Sequence, residues 1–204
     1  MLYLASQSPQ RATLLARAAV VFTVTSSSCD EETIQLPVPQ ALAIERARAK
    51  ARGASVPAGS IVLGADTVVA LGREILGSPA DPAGVAVMLG KLSGTTHQVM
   101  TAHCLWRAGS EVEAVALTTA RVTMRPLSPQ EIADYAATGE GVGKAGGYAI
   151  QAKADRFVVE VQGAMETVVG LHIPTVAKLW REVADGSLPG YTGPTSTGLQ
   201  RVPQ

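Results

Sequence analysis

Short apolar runs and amphipathic stretches alternate along the chain. Leu2 to Ala5 is an apolar run of strand length. It leads into Ser8 and Pro9, a good N-cap residue followed by the residue suited to a first helical position, and predicts a helix with Leu14, Leu15 and Ala18 on its core face. Val20 to Thr25 suits a strand and Ser26 to Val38 a polar loop. Pro39 to Gly53 suits a helix closed by glycine, with Ile44, Ala47 and Ala51 as its apolar stripe. Ile61 to Gly64, Val68 to Leu71 and Glu74 to Gly77 predict three strands, the last two joined by a turn at Gly72 and Arg73. A helix over Pro82 to Leu92 precedes two long antiparallel strands, Thr95 to Arg107 and Val112 to Met124. Ser128 to Thr138 then reads as a helix opened by a capping box between Ser128 and Glu131. Phe157 to Val161 and Ile173 to Ala184 end the pattern as strand and helix. Strands and helices interleave and hairpins are present, so the pattern predicts an α/β fold with a mixed sheet flanked by helices.

Composition narrows the picture. The chain has 204 residues, 47% of them hydrophobic and 17% charged, enough to close one sizeable core and too apolar for disorder outside the ends. Gly186 to Gln204 breaks the pattern and reads as a loose Gly/Pro/Ser/Thr-rich tail, leaving residues 1–185 as one domain. Seventeen basic residues balance 17 acidic ones, so no global field attracts a nucleic-acid backbone or an anionic membrane, and an anionic ligand must be held locally. No apolar run is long enough to span a bilayer, and no leader pattern opens the chain. The only cysteines are Cys29 and Cys104, and asparagine is absent, so neither a disulfide framework nor N-glycosylation is expected. A cytoplasmic setting follows as the expectation.

The chemistry is concentrated at a few places. Ser6, Ser8, Gln10 and Arg11 stand where a strand ends and a helix begins, where free backbone N–H groups and the helix dipole attract an anion. An ordinary capped helix with a solvated arginine has the same residues. Asp66 follows the apolar run Ile61 to Gly64 and is expected to mark a strand end, where α/β proteins gather ligand groups, or else a turn. Asp30, Glu31 and Glu32 can supply oxygen ligands to Mg2+ or Mn2+, or form a solvated loop. Lys50 lies on a helix one turn from Arg46, and Lys144 lies in the glycine-rich stretch Gly139 to Gly147, whose backbone can approach a ligand closely.

Several motif matches fail on context. Gly141, Gly143 and Gly146 have dinucleotide-fingerprint spacing but follow a predicted helix, the reverse of the strand-to-helix order that mechanism needs. Gly143 and Lys144 resemble a P-loop ending, yet Thr138 stands where the first glycine belongs and Ala145 lacks the metal-binding hydroxyl. His97 and His103 share one strand at even spacing without an obvious third ligand, and His172 stays uncommitted.

Taken in order, these pieces resemble the Maf proteins, a family of nucleoside triphosphate pyrophosphatases. The resemblance covers about residues 2 to 184. It runs through Leu4-Ala5-Ser6-Gln7-Ser8-Pro9-Gln10-Arg11, Asp30-Glu31, Lys50-Ala51 and Gly64-Ala65-Asp66-Thr67-Val68-Val69. It continues through Leu92-Ser93-Gly94 with His97, Val99 and Thr101, then Gly139-Glu140, Lys144 to Gln151, and Val168-Val169-Gly170-Leu171.

The resemblance implies a mixed twisted sheet flanked by helices, in two lobes around a central cleft, often as a homodimer. It also implies hydrolysis of a nucleoside triphosphate to monophosphate and pyrophosphate with a divalent cation, Mg2+ or Mn2+. By the same resemblance Asp66, Lys50 and Arg11 are the catalytic candidates, and Glu31 with Asp66 the metal ligands. Ser6, Ser8, Gln10, Thr67, Ser78, Lys144 and Gln151 are the substrate-binding candidates. Thr67 and Gln151 match the branch acting on dTTP and UTP. Three positions depart from the family pattern: Gln10 stands where arginine or another large residue is usual, Ser78 where lysine is usual before Pro79, and His172 where proline follows Leu171. The first two lower the positive charge expected at the site. The alternative is a nucleotide-binding regulator of septum formation and cell division that does not turn its ligand over.

Overall fold

The computed structural model describes residues 1–194; the last ten residues of the expected C-terminal tail lie outside the described residues. Its elements are β1 (Leu2–Ala5), α1 (Pro9–Arg17), β2 (Phe22–Thr25), α2 (Pro39–Arg52), β3 (Ile61–Leu71), β4 (Glu74–Leu76) and α3 (Pro82–Leu92). β5 (Thr96–Arg107), β6 (Glu113–Met124), α4 (Pro129–Ala137), β7 (Val158–Gln162), α5 (Met165–Val169) and α6 (Ile173–Val183) follow. The seven strands form one mixed sheet in the order β2-β1-β3-β5-β6-β7, with β4 paired to β3. β1 runs parallel to β2 and to β3, which is why helices α1 and α2 lie between these strands in the chain: a parallel neighbour can be reached only by a crossover. The β3–β4 and β6–β7 pairs are antiparallel.

The chain divides into two compact units, and β3, β5 and β6 each contribute residues to both. The first unit comprises residues 1–66, 101–118 and 170 onward. Its core joins Leu2, Leu4, Ile61 and Leu63 from the parallel strands to Leu15 of α1 and to Val176, Leu179, Trp180 and Val183 of α6. At roughly 1.5–3 kcal/mol for each large apolar side chain buried, this cluster is the main support for the first unit's elements. The second unit, residues 67–100 and 119–169, has its own core of Val85, Leu89 and Leu92 from α3 with Val122, Met124, Tyr135 and Phe157. There α3 packs on α4, whose capping box between Ser128 and Glu131 is formed as the sequence predicts.

Three local expectations change. Ile61 to Leu71 is one continuous strand, so Asp66 lies in its middle and marks no strand end. The strand runs through Ala65, Asp66 and Thr67 without a break, and the buried carboxylate of Asp66 is tolerated there because Lys50 pairs with it. Ser8 occupies the N-cap position of α1, but its hydroxyl makes no capping bond and turns to the Gln10 side chain, 3.1 Å away. The beginning of the expected loose tail is tied down: Leu188 is buried in the first core, and the Val21 N–H donates to the Pro189 carbonyl at 3.0 Å. One leucine in a Gly/Pro-rich stretch has no periodicity to betray it. Among the described residues no helix is long and apolar enough to cross a membrane.

Candidate active site

The first unit gathers four charged side chains from four separate segments. Their convergence begins at Gly64 on β3. A Cβ built there would stand 2.2 Å from the Ala47 carbonyl oxygen and 2.6 Å from the Ala51 nitrogen, so the backbone of α2 rests directly on the strand. Ala47 and Ala51 are fully buried, and only side chains this small allow the approach. This close packing sets Lys50 beside Asp66: Lys50 Nζ donates to Asp66 Oδ1 at 2.7 Å. Lys50 also pairs with Glu31 Oε2. Glu31 opens a 3-10 turn over Glu31–Thr33, capped by Asp30, whose Oδ1 accepts from the Glu32 N–H. Arg46, one turn before Lys50 on α2, holds this turn from behind by donating from Nη2 to the Ile34 carbonyl at 3.1 Å.

Arg11 enters from α1 and is only 8% exposed. Its Nε donates to the Gly170 carbonyl at 2.9 Å and its Nη1 to Ser6 Oγ at 3.0 Å, while Ser6 Oγ also accepts the Ser8 N–H at 3.2 Å. The β1–α1 junction therefore orients the guanidinium as well as the helix terminus. Burial lowers the Arg11 pKa, with Asp66 and Glu31 acting in the opposite direction. Burial raises the Asp66 pKa, and this outweighs the opposing pull of Lys50 and Arg11. Glu31 also loses hydration, but its bond to Lys50 and the charges of Lys50, Arg46 and Arg11 hold it below the ordinary carboxylate value.

The arrangement suits a divalent cation. Asp66 Oδ2 is buried with no hydrogen-bond partner, while Oδ1 of the same carboxylate is held by Lys50. A buried, unpaired carboxylate oxygen is costly unless something positive meets it. Among the described residues no three His, Cys, Asp or Glu side chains stand together as a metal cage. The donors present are two carboxylates, Asp66 and Glu31, the number with which Mg2+ commonly binds when phosphate oxygens and water fill its other positions.

Thr67, Ser78, Lys144 and Gln151 belong to the second unit. Thr67 follows Asp66 along β3, so its side chain takes the opposite face of the strand. Ser78 is exposed, and both its neighbours are tied to the glycine-rich stretch: the Gly143 N–H donates to the Pro79 carbonyl at 2.9 Å and the Gly146 N–H to the Gly77 carbonyl at 3.0 Å. That stretch folds on itself so tightly that a Cβ at Gly141 would lie 2.1 Å from the Gly147 carbonyl oxygen. Lys144 precedes a 3-10 turn at Ala145–Gly147. The chain leading to the exposed Gln151 is pinned by two hydrogen bonds, Tyr148 OH to His97 Nε2 at 2.7 Å and Ala149 N–H to Tyr135 OH at 3.0 Å.

Residues 1–183 match the family model for Maf-like protein. The chain belongs to the Maf family. A relative named dTTP/UTP pyrophosphatase in Anaeromyxobacter sp. (strain Fw109-5) is 43% identical over 183 residues, 88% of each chain. Proteins of that name in Alcanivorax borkumensis and Xanthomonas euvesicatoria are 40% and 41% identical, covering 90% and 88% of this chain and 96% of each relative. The Maf resemblance read from scattered short motifs thus holds over residues 1–183.

Of the residues singled out in the sequence, the first unit brings together Ser6, Ser8, Gln10, Arg11, Glu31, Lys50 and Asp66. Sequence reading left His97, His103 and His172 without a role, yet the His97 and His103 rings each reach a distant segment, at Tyr148 OH and the His172 backbone N–H. Nothing in their spacing reveals this, because the partners are 51 and 69 residues away.

Proposed function

We propose that this chain hydrolyses nucleoside triphosphates, dTTP and UTP among them, to the monophosphate and pyrophosphate. The observation that carries the reading is the ionic cluster of Lys50, Asp66, Glu31 and Arg11, in which Asp66 keeps one buried oxygen unpaired. The names of the 40–43% identical relatives support the substrate class.

Water adds to the α-phosphorus, the bond to the bridging oxygen breaks, and pyrophosphate departs with the developing charge. The Asp66 carboxylate accepts the proton of the attacking water. A carboxylate whose pKa is raised by burial is a better proton acceptor than an exposed one, and Lys50 keeps it in place. Arg11 and Lys50 bind phosphate oxygens, and the first turn of α1, whose Ser8 hydroxyl makes no capping bond, adds backbone donors. A divalent cation, Mg2+ or Mn2+, held by Asp66 and Glu31 supplies charge neutralisation along the triphosphate. Ser6, Ser8, Gln10 and Ser78 are proposed for the phosphates, and Thr67, Lys144 and Gln151 for the rest of the nucleotide; an amide such as Gln151 can meet a pyrimidine edge carrying both donor and acceptor. A homodimer in the cytoplasm is the proposed setting, supported by the family resemblance and by two unpaired cysteines.

Pyrophosphate release from a panel of nucleotides, with Mg2+, with Mn2+ and with EDTA, tests the reading. Release from dTTP and UTP that EDTA abolishes is expected. Nucleotide binding without release under any condition replaces the reading with a regulator that does not turn over its ligand, and full release in EDTA removes the metal from it.

A further inference from the structure

A buried histidine that the proposed chemistry leaves unused stands one step behind Arg11. His103 on β5 is completely buried, and its Nε2 accepts the His172 backbone N–H at 2.9 Å. Two residues earlier the Gly170 carbonyl accepts Arg11 Nε, also at 2.9 Å. Leu171, between them, is buried in the core. The segment from Gly170 to His172 is therefore gripped by His103 at one end and grips Arg11 with the other. His172 Nδ1 pairs with Thr175 Oγ1 at 2.8 Å, fixing the segment to the start of α6.

An acceptor at Nε2 requires the neutral ring with its proton on Nδ1. Burial, then the neighbouring His172, brings the His103 pKa down to about 3, with the Ala116 backbone opposing, so the accepting form persists at every ordinary pH. A core-facing strand position is filled more cheaply by an aliphatic side chain; a histidine there costs desolvation that only a hydrogen bond offsets.

We propose that His103 is a positioning residue for Arg11: by fixing the Gly170–His172 segment it aims the Gly170 carbonyl, and through it the guanidinium, at the triphosphate. The proposal rests on the phosphate-binding reading of Arg11.

The test compares Arg11→Ala, His103→Leu, His103→Gln and the double variant Arg11→Ala/His103→Leu in pyrophosphate release from dTTP with Mg2+, reading kcat, KM and the thermal midpoint. Leucine fills the space without an acceptor, whereas the glutamine amide oxygen can still accept the His172 N–H. Expected are a loss in kcat/KM of about tenfold for His103→Leu and recovery to within about threefold for His103→Gln. In the Arg11→Ala background His103→Leu should cost less than about twofold, because two residues acting through one contact are not additive. The pH profile of His103→Leu should keep its limbs, since the ring stays neutral throughout. Should His103→Leu not fold, His172→Pro removes the N–H instead and should show the same non-additivity with Arg11→Ala. An impaired Arg11→Ala beside a normal His103→Leu, or equal losses in both backgrounds, overturns the positioning role alone. Full activity of Arg11→Ala overturns the Arg11 reading and the His103 proposal with it.

Discussion

The two units hold their candidate functional side chains by different means. In the first, charges are packed against one another: Lys50 bridges the buried Asp66 and the half-exposed Glu31, and the buried Arg11 is anchored through its own nitrogens to Ser6 and Gly170. In the second, the positioning bonds are made by uncharged groups, the backbone N–H groups of Gly143 and Gly146 and the hydroxyls of Tyr148 and Tyr135, and the side chains they deliver, Ser78 and Gln151, are exposed. Buried charge is expensive and is suited to a reaction that needs preorganised electrostatics. Uncharged loop scaffolding is suited to recognition, where a solvated side chain can be exchanged without unfolding the site. The difference predicts which substitutions change rate and which change preference.

The largest effect is expected at Asp66. Asp66→Asn removes the proton acceptor while preserving shape, and turnover should fall by at least about a hundredfold with nucleotide binding retained. In the wild type the acidic limb of the rate profile should report Asp66 and vanish in the variant. The sign for stability is the reverse of the sign for rate. Because folding raises this pKa, the group favours the folded state below its ordinary value, and that contribution is lost as pH rises through the raised one. At neutral pH ionised Asp66 therefore weighs against folding, so Asp66→Asn should melt no earlier than the wild type. A variant with near-normal turnover would take Asp66 out of the mechanism.

Next are the phosphate contacts. Arg11→Ala and Lys50→Ala should each lower kcat/KM by about tenfold to a hundredfold, by a similar factor for every nucleotide, since phosphates are common to all. A variant that mainly reordered the panel would move its residue to the base-recognising group and erase the contrast between the units.

The glycines sharpen the same contrast through packing. Gly64→Ala and Gly141→Ala each force a Cβ within 2.2 Å of backbone atoms, and each should cost about 1–3 kcal/mol in chemical denaturation. Gly64→Ala lifts α2 from β3 and with it Lys50 from Asp66, so turnover should fall on all nucleotides. Gly141→Ala disturbs the stretch preceding Gln151, so the order of dTTP, UTP and purine triphosphates should change more than the best rate does.

These glycines also show where sequence reading stops. Most helices and strands were legible because their periodicity is local, and the Ser6 to Arg11 junction, Glu31, Lys50 and Asp66 were legible as motif pieces. The continuity of β3 through Asp66 was not, since a carboxylate between two apolar runs looks like an end until its partner, Lys50, is placed 16 residues away. That Gly64 seats a helix, that His103 reaches the His172 backbone and that Gly77 and Pro79 face the glycine-rich stretch depend on contacts between distant segments. No spacing rule encodes these.

The smallest effect is expected at Ser78. The family resemblance places a lysine there, and a charge-assisted phosphate contact can be worth about 1.5–3 kcal/mol when well placed and desolvated. Ser78 is exposed, however, and an ion pair screened by water contributes only about 0.2–1 kcal/mol. Both flanking carbonyls are already engaged by Gly143 and Gly146, so a longer side chain at this position leaves the loop's hydrogen bonds intact. Ser78→Lys should therefore raise kcat/KM about twofold to fivefold at low salt, for all nucleotides alike, and the gain should shrink as ionic strength increases. Steady-state rates at two salt concentrations decide it. A loss of activity instead would mean that another group already meets the phosphates there. Arg73, exposed in the β3–β4 turn of the same unit, is then the residue to test, and Arg73→Ala should be the more damaging change.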